Sequence, residues 1–463
     1  MLKKISILKK IYFIIFDFIF CLLKLNKRNN KIKNKNIVIW LAETGSRDFI
    51  PRLAQALALW NEYKIPSLVI HKHYLKRLEK KILVNSVVID KSATISCLRR
   101  LRYAKINGSF NLVIPEELLI CDRSEKLIQG SLHRNTLKYV DAVISNSNEI
   151  RNYLKIQDNT IKNINVINPR LCLTLIEKNC KFIETPIKKI QRDLSYKYIL
   201  INDKLSLKFS SYKNEVELIK NNIFRGTSVN AKEYIDDFLI EEEKEEKLLI
   251  DLIKKIREQK LFNQLKIIIR PHPAVNIQKY RNYFKSKLKK SFNYSIIRKG
   301  TVVECMKYAS LIFHSNCTSA IEGYFEGIDN IYNFSSKYRE GTSYQFMDIL
   351  KPLGLEAAII KAKENYLKQN KKYIKNSSNN KFLNKKNIYH FLGEEMNKGK
   401  SNFYLDNSLV DRFSNEKIIE YSAADRWRDA EKRIKYINKN KSKFIDIPLE
   451  NIGNIGVQIG KKF

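Results

Sequence analysis

The sequence predicts an α/β protein with two doubly wound parallel sheets that face each other across a cleft. Short apolar runs alternate with amphipathic segments along the chain, and polar turns follow several of those runs. Asn168-Pro169-Arg170 closes one series of elements, and a second begins at Tyr198. A chain of 463 residues, 44% of them apolar, can also fill more than one hydrophobic core.

The first series predicts an N-terminal domain over residues 36–190. It opens with a strand over 36–41 and a helix over 47–62, which Ser46 caps and which carries Pro51 in its first turn. Apolar residues then recur along this helix at helical spacing, which is typical of a core-facing stripe. The same alternation predicts strands near 67–70, 86–89, 110–114, 140–144 and 163–167, and helices near 93–106, 124–138 and 147–155.

The second series predicts another domain over residues 191–350. Ile267-Ile268-Ile269 has the branched apolar composition of a strand that is covered on both faces. The predicted strands lie near 198–201, 265–270, 294–298, 310–313 and 329–332, and the helices near 233–260, 276–289, 301–308 and 318–327.

Both ends of the chain differ from the two sheets. In residues 1–35, about a dozen apolar residues, interrupted by Asp17, lie between clusters of Lys and Arg. This pattern predicts an aromatic helix in the membrane interface, and the alternative is an ordinary helix packed on the domain. Residues 351–463 predict a helical extension, with a mobile polar connection over 363–400 and an exposed helix over 423–441.

Two polar turns in the second domain suggest a binding site for an anion. In the first, Arg270 and His272 follow an apolar strand and are held between prolines. In the second, Thr318 and Ser319 lie at a predicted helix start, where backbone N–H groups favour an anion. Both turns would face the same crevice at the carboxyl ends of the strands, so we expect a phosphorylated ligand there.

Each of these residues also has a structural interpretation. His272 could simply satisfy its turn, and Thr318 and Ser319 could serve only as an N-cap. Glu322 lies one turn into the same helix, where a carboxylate favours the helix dipole. The two turns together, in this order and context, indicate function more strongly than either one alone.

These two segments resemble bacterial surface-carbohydrate biosynthesis proteins, of capsule or lipopolysaccharide, of the GT-B type. That group is similar to the glycerophosphotransferases of teichoic-acid synthesis and to the CMP-sugar-dependent sialyl- and Kdo-transferases. The resemblance covers roughly residues 36–345. It implies two Rossmann-like domains, with the donor site in the second, and a His-Pro motif and a Ser/Thr pair that meet the nucleotide phosphate. His272-Pro273 and Thr318-Ser319 match these two motifs.

Two further segments match the same family. The resemblance implies an acidic pair as catalytic base, and Glu116 and Glu117 end a strand at the matching place, although Leu118 replaces the usual Gly. Near the N-terminus, the strand and turn that contain Glu43, Ser46 and Arg47 resemble the family's first strand. These residues are candidates for binding the acceptor sugar, and solvated loop charges are an equally good interpretation.

Composition excludes several other classes of protein. The formal net charge is +38, but Lys residues are spread along the chain and no compact nucleic-acid-binding motif is present. We therefore attribute the charge first to a Lys- and Asn-rich coding bias and second to attraction to an anionic membrane. The seven cysteines form no CxxC motif or Cys/His cluster, so neither a zinc site nor a disulfide scaffold is predicted. Cys317 is interpreted as a packing residue.

The predicted function is transfer of a sugar from a nucleotide-activated donor to a glycan or lipid-linked acceptor. The resemblance suggests a CMP- or CDP-linked donor. Its phosphate would lie against Arg270, His272, Thr318 and Ser319, while Glu322 holds donor hydroxyls and Glu116 or Glu117 deprotonates the acceptor. No metal or cofactor is expected, and the enzyme is expected on the cytoplasmic face of the membrane. A nucleotide-sugar 2-epimerase and a non-catalytic scaffold remain as alternatives.

Overall fold

The computed structural model describes residues 31–116, 118, 125–145, 147–171, 197–210, 227–273, 275–298, 301–338, 342, 346–369, 387–396, 431, 434–435, 449–452 and 456–459, without the side chains of Ser46, Gln369, residues 449–452 and Gln458. The N-terminal helix predicted over residues 1–35 lies almost wholly outside the described residues, as does most of the helix predicted over 423–441. None of the described helices combines the length and the apolar composition that a membrane span requires.

The described residues contain two sheets. The strands are β1 Ile37–Ala42, β2 Ser67–His71, β3 Ser86–Asp90, β4 Phe110–Val113, β5 Ala142–Ile144, β6 Lys162–Ile164, β7 Tyr198–Asn202, β8 Lys266–Arg270, β9 Tyr294–Ile296, β10 Ala309–His314, β11 Ile331–Asn333, β12 Leu449–Ile452 and β13 Gly456–Ile459. The helices are α1 Ile50–Tyr63, α2 Lys80–Val84, α3 Leu98–Ile106, α4 Glu125–Ser131, α5 Arg134–Leu137, α6 Asn148–Gln157, α7 Ala231–Glu258, α8 Ile277–Lys287, α9 Val302–Met306, α10 Ser319–Phe325, α11 Leu355–Gln369 and α12 Ile388–Glu395.

The first sheet has the strand order β12-β13-β2-β1-β3-β4-β5-β6. The six strands β1 to β6 are parallel to one another. Strand β1 is buried along its whole length, because Ile37–Ala42 is apolar throughout and helices cover both faces. The order reverses between β1 and β3, and the polar turns that follow these strands therefore lie at a switch point.

The second sheet has the strand order β11-β10-β7-β8-β9, and all of its pairings are parallel. Two apolar clusters pack on its faces, one containing Ile267 and Ile269 and the other containing Ile268. This alternation follows from the pleat of β8, which sends successive side chains to opposite faces. The α/β class and the two doubly wound sheets predicted from the sequence are thus confirmed.

The C-terminal part differs from its prediction. The mobile connection predicted over 363–400 is wrong for residues 363–369 and 388–395, which belong to α11 and α12. The physical reason is apolar packing: Ala358, Ile359 and Ala362 of α11 enter the core of the second sheet. Helix α12 packs on α1 of the first sheet. The hairpin β12–β13, which the sequence analysis did not predict, extends the first sheet beside β2.

Candidate active site

The carboxyl edge of the second sheet brings three polar turns together. Strand β7 lies at the centre, with β8 on one side and β10 on the other, and the strand order reverses between β7 and β10. Asn202, Arg270 and His314 end these strands in one register. Because neighbouring strands lie about 4.8 Å apart, the turns after β8 and β10 begin about 10 Å from each other. Ligands of doubly wound sheets bind in such a crevice.

The turn that carries His272 is fixed by a buried carboxylate. Asp203, directly after β7, accepts the backbone N–H of His272 at 3.4 Å and that of Leu205 at 3.1 Å. Its second oxygen accepts the hydroxyl of Tyr280 in α8. Burial raises the pKa of Asp203 to about 7, although these hydrogen bonds favour the ionised form. The half-buried imidazole of His272 is therefore held on a turn that is fastened to β7.

Arg270 shares this edge but its side chain lies beneath α9. The guanidinium is buried, and its Nη1 atom lies 3.7 Å from Sγ of Cys305. At the end of β10, the Nδ1 atom of His314 accepts a hydrogen bond from the backbone N–H of Cys317 at 3.2 Å. Burial lowers the pKa of His314 to about 3, so its imidazole is neutral. The Arg270 guanidinium is therefore packed against α9, and its contact with a phosphate stays a prediction.

The second predicted polar turn contains Thr318, which is the N-cap residue of α10. We call this turn and the turn that carries His272 the two corners of the site. The side chain of Thr318 makes no capping hydrogen bond, so the N-cap interpretation of the hydroxyl is not supported. Helix α10 ends at Phe325 rather than at the predicted Gly327, and so short a helix offers only a small dipole. Ser319 is buried beside Cys317. Burial raises the pKa of the Cys317 thiol, which suits a packing residue better than a nucleophile.

The two corners lie on the same side of the sheet, with Asp203 between them. The carboxylate of Asp203 holds the His272 turn, and it directly follows β7, the strand between β8 and β10. Binding of a phosphate between these two turns stays a prediction.

The first sheet places its own polar turns at the switch point. Asp48 accepts the backbone N–H groups of Glu43 and Thr44, each at 3.1 Å. Glu43 is paired with Lys72 at 3.0 Å and with Lys91. Burial opposes ionisation of Glu43, but these two lysines outweigh it and hold its pKa well below the usual range. Glu43 therefore lies among lysines at the carboxyl edge, and acceptor binding stays a prediction for it.

The other two acceptor-side candidates are less informative. Arg47 lies 3.4 Å from Asp48, within the single π-helical turn that precedes α1. The side chain of Ser46 lies outside the described residues.

Glu116, the candidate base, lies after β4 and is only 2% exposed. Its Oε1 atom accepts a hydrogen bond from Arg52 Nη2 at 2.7 Å, and Arg52 also lies 3.9 Å from Asp48. Burial raises the pKa of Glu116 even though Arg52 opposes this shift. A carboxyl whose proton affinity is raised in this way suits acid–base chemistry. Glu117 lies outside the described residues.

Arg170 joins the two sheets electrostatically. It lies in the short turn Pro169–Leu171 after β6, and its guanidinium is paired with Glu322 of α10. Burial disfavours its charge, but Glu322, Glu116 and Asp48 together raise its pKa above the usual range. Glu322 of the second sheet is thus paired with a cation that follows the first sheet, whereas the ion-pair partner of Glu116 is Arg52. Glu322 contacts protein here, and a role in holding donor hydroxyls requires it to exchange Arg170 for the ligand.

Sequence reasoning missed several residues of this site. Lys91 and Asp203 directly follow strands β3 and β7, so the rule that identified the polar turn after β8 could have found them too. Arg52 and Arg170 gave no such signal, because one lies within a helix and the other in a turn. Among the described residues, no cluster of His, Cys, Asp and Glu could hold a metal ion. The metal-independent mechanism stays a prediction.

Comparison with known proteins gives only distant similarities. No model of a known protein family matches the chain, and no curated protein matches it. The chain is similar to the UDP-GlcNAc 2-epimerase of Methanocaldococcus jannaschii in complex with UDP-GlcNAc and UDP, with 15% identity, a TM-score of 0.44, and coverage of 75% of this chain and 96% of that one. It is also similar to the wall teichoic acid polymerase TagF, with 10% identity, a TM-score of 0.39, and coverage of 79% and 90%.

A third similarity is to Anabaena Alr3699/HepE in complex with UDP and glucose, with 10% identity, a TM-score of 0.39, and coverage of 72% and 90%. These similarities are too distant to assign a function, which has to be inferred from the site itself.

Proposed function

We propose that the protein transfers a sugar from a nucleotide-activated donor to an acceptor hydroxyl. The observation that carries this proposal is the shared edge of the second sheet, where Asp203 follows the central strand β7 and the His272 turn and the turn before α10 follow its two neighbours. Arg170 supports it from the other side, since this residue lies in the turn after the last strand of the first sheet and pairs with Glu322 of the second.

The donor phosphate would lie between the two corners. The imidazole of His272 and the hydroxyls of Thr318 and Ser319 can donate hydrogen bonds to its oxygens, and Arg270 adds positive charge. As the bond between the sugar and the phosphate breaks, negative charge grows on the leaving phosphate. Donors that are already fixed in place stabilise this charge without reorganisation. A CMP- or CDP-linked donor is the specific form that we propose.

The acceptor would be activated by Glu116. Its carboxylate takes the proton of the acceptor hydroxyl, the oxygen forms a bond to the anomeric carbon, and the electron pair of the broken bond leaves with the nucleotide phosphate. Because Glu116 is buried and paired with Arg52, the acceptor has to replace that pair. Glu43 and Arg47, at the same edge of the first sheet, are the proposed contacts of the acceptor.

The burial of Glu116 also favours a second candidate, a nucleotide-sugar 2-epimerase. Such an enzyme needs acid–base groups inside a closed site and requires no route for a large acceptor. Incubation with CMP-, CDP- and UDP-linked sugars, with and without glycan acceptors, separates the two. We expect nucleotide release only when an acceptor is present. Conversion of the nucleotide sugar to free sugar or to its epimer without acceptor would support the epimerase. The absence of both turnover and binding would support a non-catalytic scaffold.

A substitution tests the donor site directly. His272→Ala should abolish donor binding and leave the fold intact, because the residue lies on a turn. His390→Ala is the matched control, since this imidazole lies on α12 beside Glu62 and Tyr63. Calorimetric titration with CMP and CDP measures the effect. Unchanged donor affinity in His272→Ala would remove this residue from the site.

We also propose that the protein acts at the cytoplasmic face of the membrane. The basis is the apolar and basic sequence of residues 1–30, together with the net charge of +38. Deletion of residues 1–30 should release the protein from anionic vesicles in a sedimentation assay. Persistent binding would assign the attraction to the charge of the remaining chain.

A further inference from the structure

The loop after β7 folds around a carboxylate. Oε1 of Glu242 in α7 accepts the N–H of Ser206 at 2.5 Å, the N–H of Leu207 at 2.9 Å and the Ser206 hydroxyl at 3.0 Å. Its Oε2 accepts the N–H groups of Leu207 at 3.1 Å and Lys208 at 2.8 Å. Successive backbone N–H groups that converge in this way form a nest for anions. We call residues 206–208 the β7 cradle.

Two more carboxylates of α7 lie against the same crevice. Glu245 is paired with Lys204 at 2.6 Å and accepts the hydroxyl of Ser315, after β10, at 2.7 Å. Glu246 is paired with Lys208. We call Glu242, Glu245 and Glu246 the acidic stripe. It spans the turns after β7 and β10, where the strand order reverses and where folds of this kind bind ligands.

The contacts of the acidic stripe are polar rather than apolar. The buried apolar residues in the second half of α7 are Leu249, Leu252, Ile253 and Ile256. In the half that precedes the stripe, only Ala231 and Ile235 are buried among the described residues. Apolar contacts therefore contribute little to holding this part of α7 in place, and its attachment depends on the polar contacts of the acidic stripe. Burial also raises the pKa of Glu242, which shows that desolvation opposes its ionised form despite the hydrogen bonds of the cradle.

We propose that the β7 cradle is a binding site for a phosphate group and that the acidic stripe of α7 is its built-in occupant, which the phosphate displaces. A phosphate has more acceptor oxygens and more negative charge than a carboxylate, so the same three N–H groups, the Ser206 hydroxyl, Lys204 and Lys208 can hold it. This inference rests on the proposed function only in placing a phosphorylated donor in this crevice. It adds that donor binding requires the first half of α7 to move.

Inorganic pyrophosphate is the probe that tests the cradle without any sugar chemistry. Glu242→Gln keeps the size of the side chain and removes its charge. We therefore expect pyrophosphate to bind to this variant on the order of tenfold more tightly than to the parent chain. Glu243→Gln is the matched control, because it makes the same charge change at an exposed position of the same helix. Isothermal titration of both variants measures the difference. Equal affinities in the two variants would overturn the proposal.

A measurement on the unmodified chain covers the case in which Glu242→Gln does not fold. Hydrogen exchange of the peptides that cover residues 235–247 should become faster when pyrophosphate is added, because the first half of α7 leaves the cradle. Unchanged or slower exchange there would contradict displacement. The outcomes also separate the two proposals. Tighter pyrophosphate binding without turnover of any nucleotide sugar would retain the cradle and remove the transferase. Turnover of a nucleotide sugar with equal pyrophosphate affinities in the two variants would retain the transferase and remove the cradle.

Discussion

Asp203→Asn should remove a large part of the pH dependence of stability in the second sheet. Burial raises the pKa of Asp203 from 3.8 to about 7 in the folded chain. A shift of about 3 units corresponds to about 4 kcal/mol at about 1.4 kcal/mol per unit. Because the folded state holds the proton more tightly than the unfolded state, this contribution is fully present below pH ~4 and is lost as the pH rises through ~7.

The assay is urea unfolding of the parent chain and of Asp203→Asn at several pH values across this range. The amide changes the hydrogen bonds to His272 and Tyr280 by an amount that does not depend on pH. We therefore expect the difference in the free energy of unfolding to move by up to about 4 kcal/mol in favour of Asp203→Asn as the pH rises. Asp251→Asn is the control, because Asp251 is 52% exposed. A difference that stays constant with pH would refute the buried, proton-binding carboxylate.

Three further substitutions test the rest of the structure. Arg170→Met should lower the free energy of unfolding by about 3–5 kcal/mol in urea titrations, because it leaves the buried Glu322 without its cation; a loss below about 1 kcal/mol would make this pair unimportant. Glu116→Gln should reduce turnover by about 10²-fold or more in an assay of nucleotide release while donor affinity is retained; full activity would exclude it as the base. Gly393→Ala should cost about 1–3 kcal/mol by the same unfolding assay, since the added Cβ would lie 2.3 Å from the ring of Tyr63; an unchanged stability would show that this ring moves freely.

Most of the two sheets could be predicted because their strands are continuous apolar runs. Strand β8, for example, was predicted over 265–270 and extends over Lys266–Arg270. Helix α11 was missed in part because a Lys-rich sequence conceals a narrow apolar stripe that includes Ala358 and Ile359. Strand β13 carries alternating apolar residues, but its pairing with β2 joins distant parts of the chain, which periodicity does not reveal.

His272 could be predicted because its polar turn follows the apolar strand β8, and Glu116 because its segment resembles a motif of a known family. The ion pairs that organise the site could not. Arg170 and Glu322 are 152 residues apart, and nothing local in either segment indicates the other. The contact of Glu242 with the β7 cradle is of the same kind, because a carboxylate on a long charged helix normally indicates a solvated face.

The most direct test of the central claim is a crystal structure of the protein soaked with CMP and with CDP. We expect a nucleotide phosphate at the carboxyl edge of the second sheet, with oxygens about 3 Å from the His272 imidazole and from a hydroxyl of Thr318 or Ser319. A nucleotide bound away from this edge, or a phosphate that contacts only one of the two corners, would contradict it.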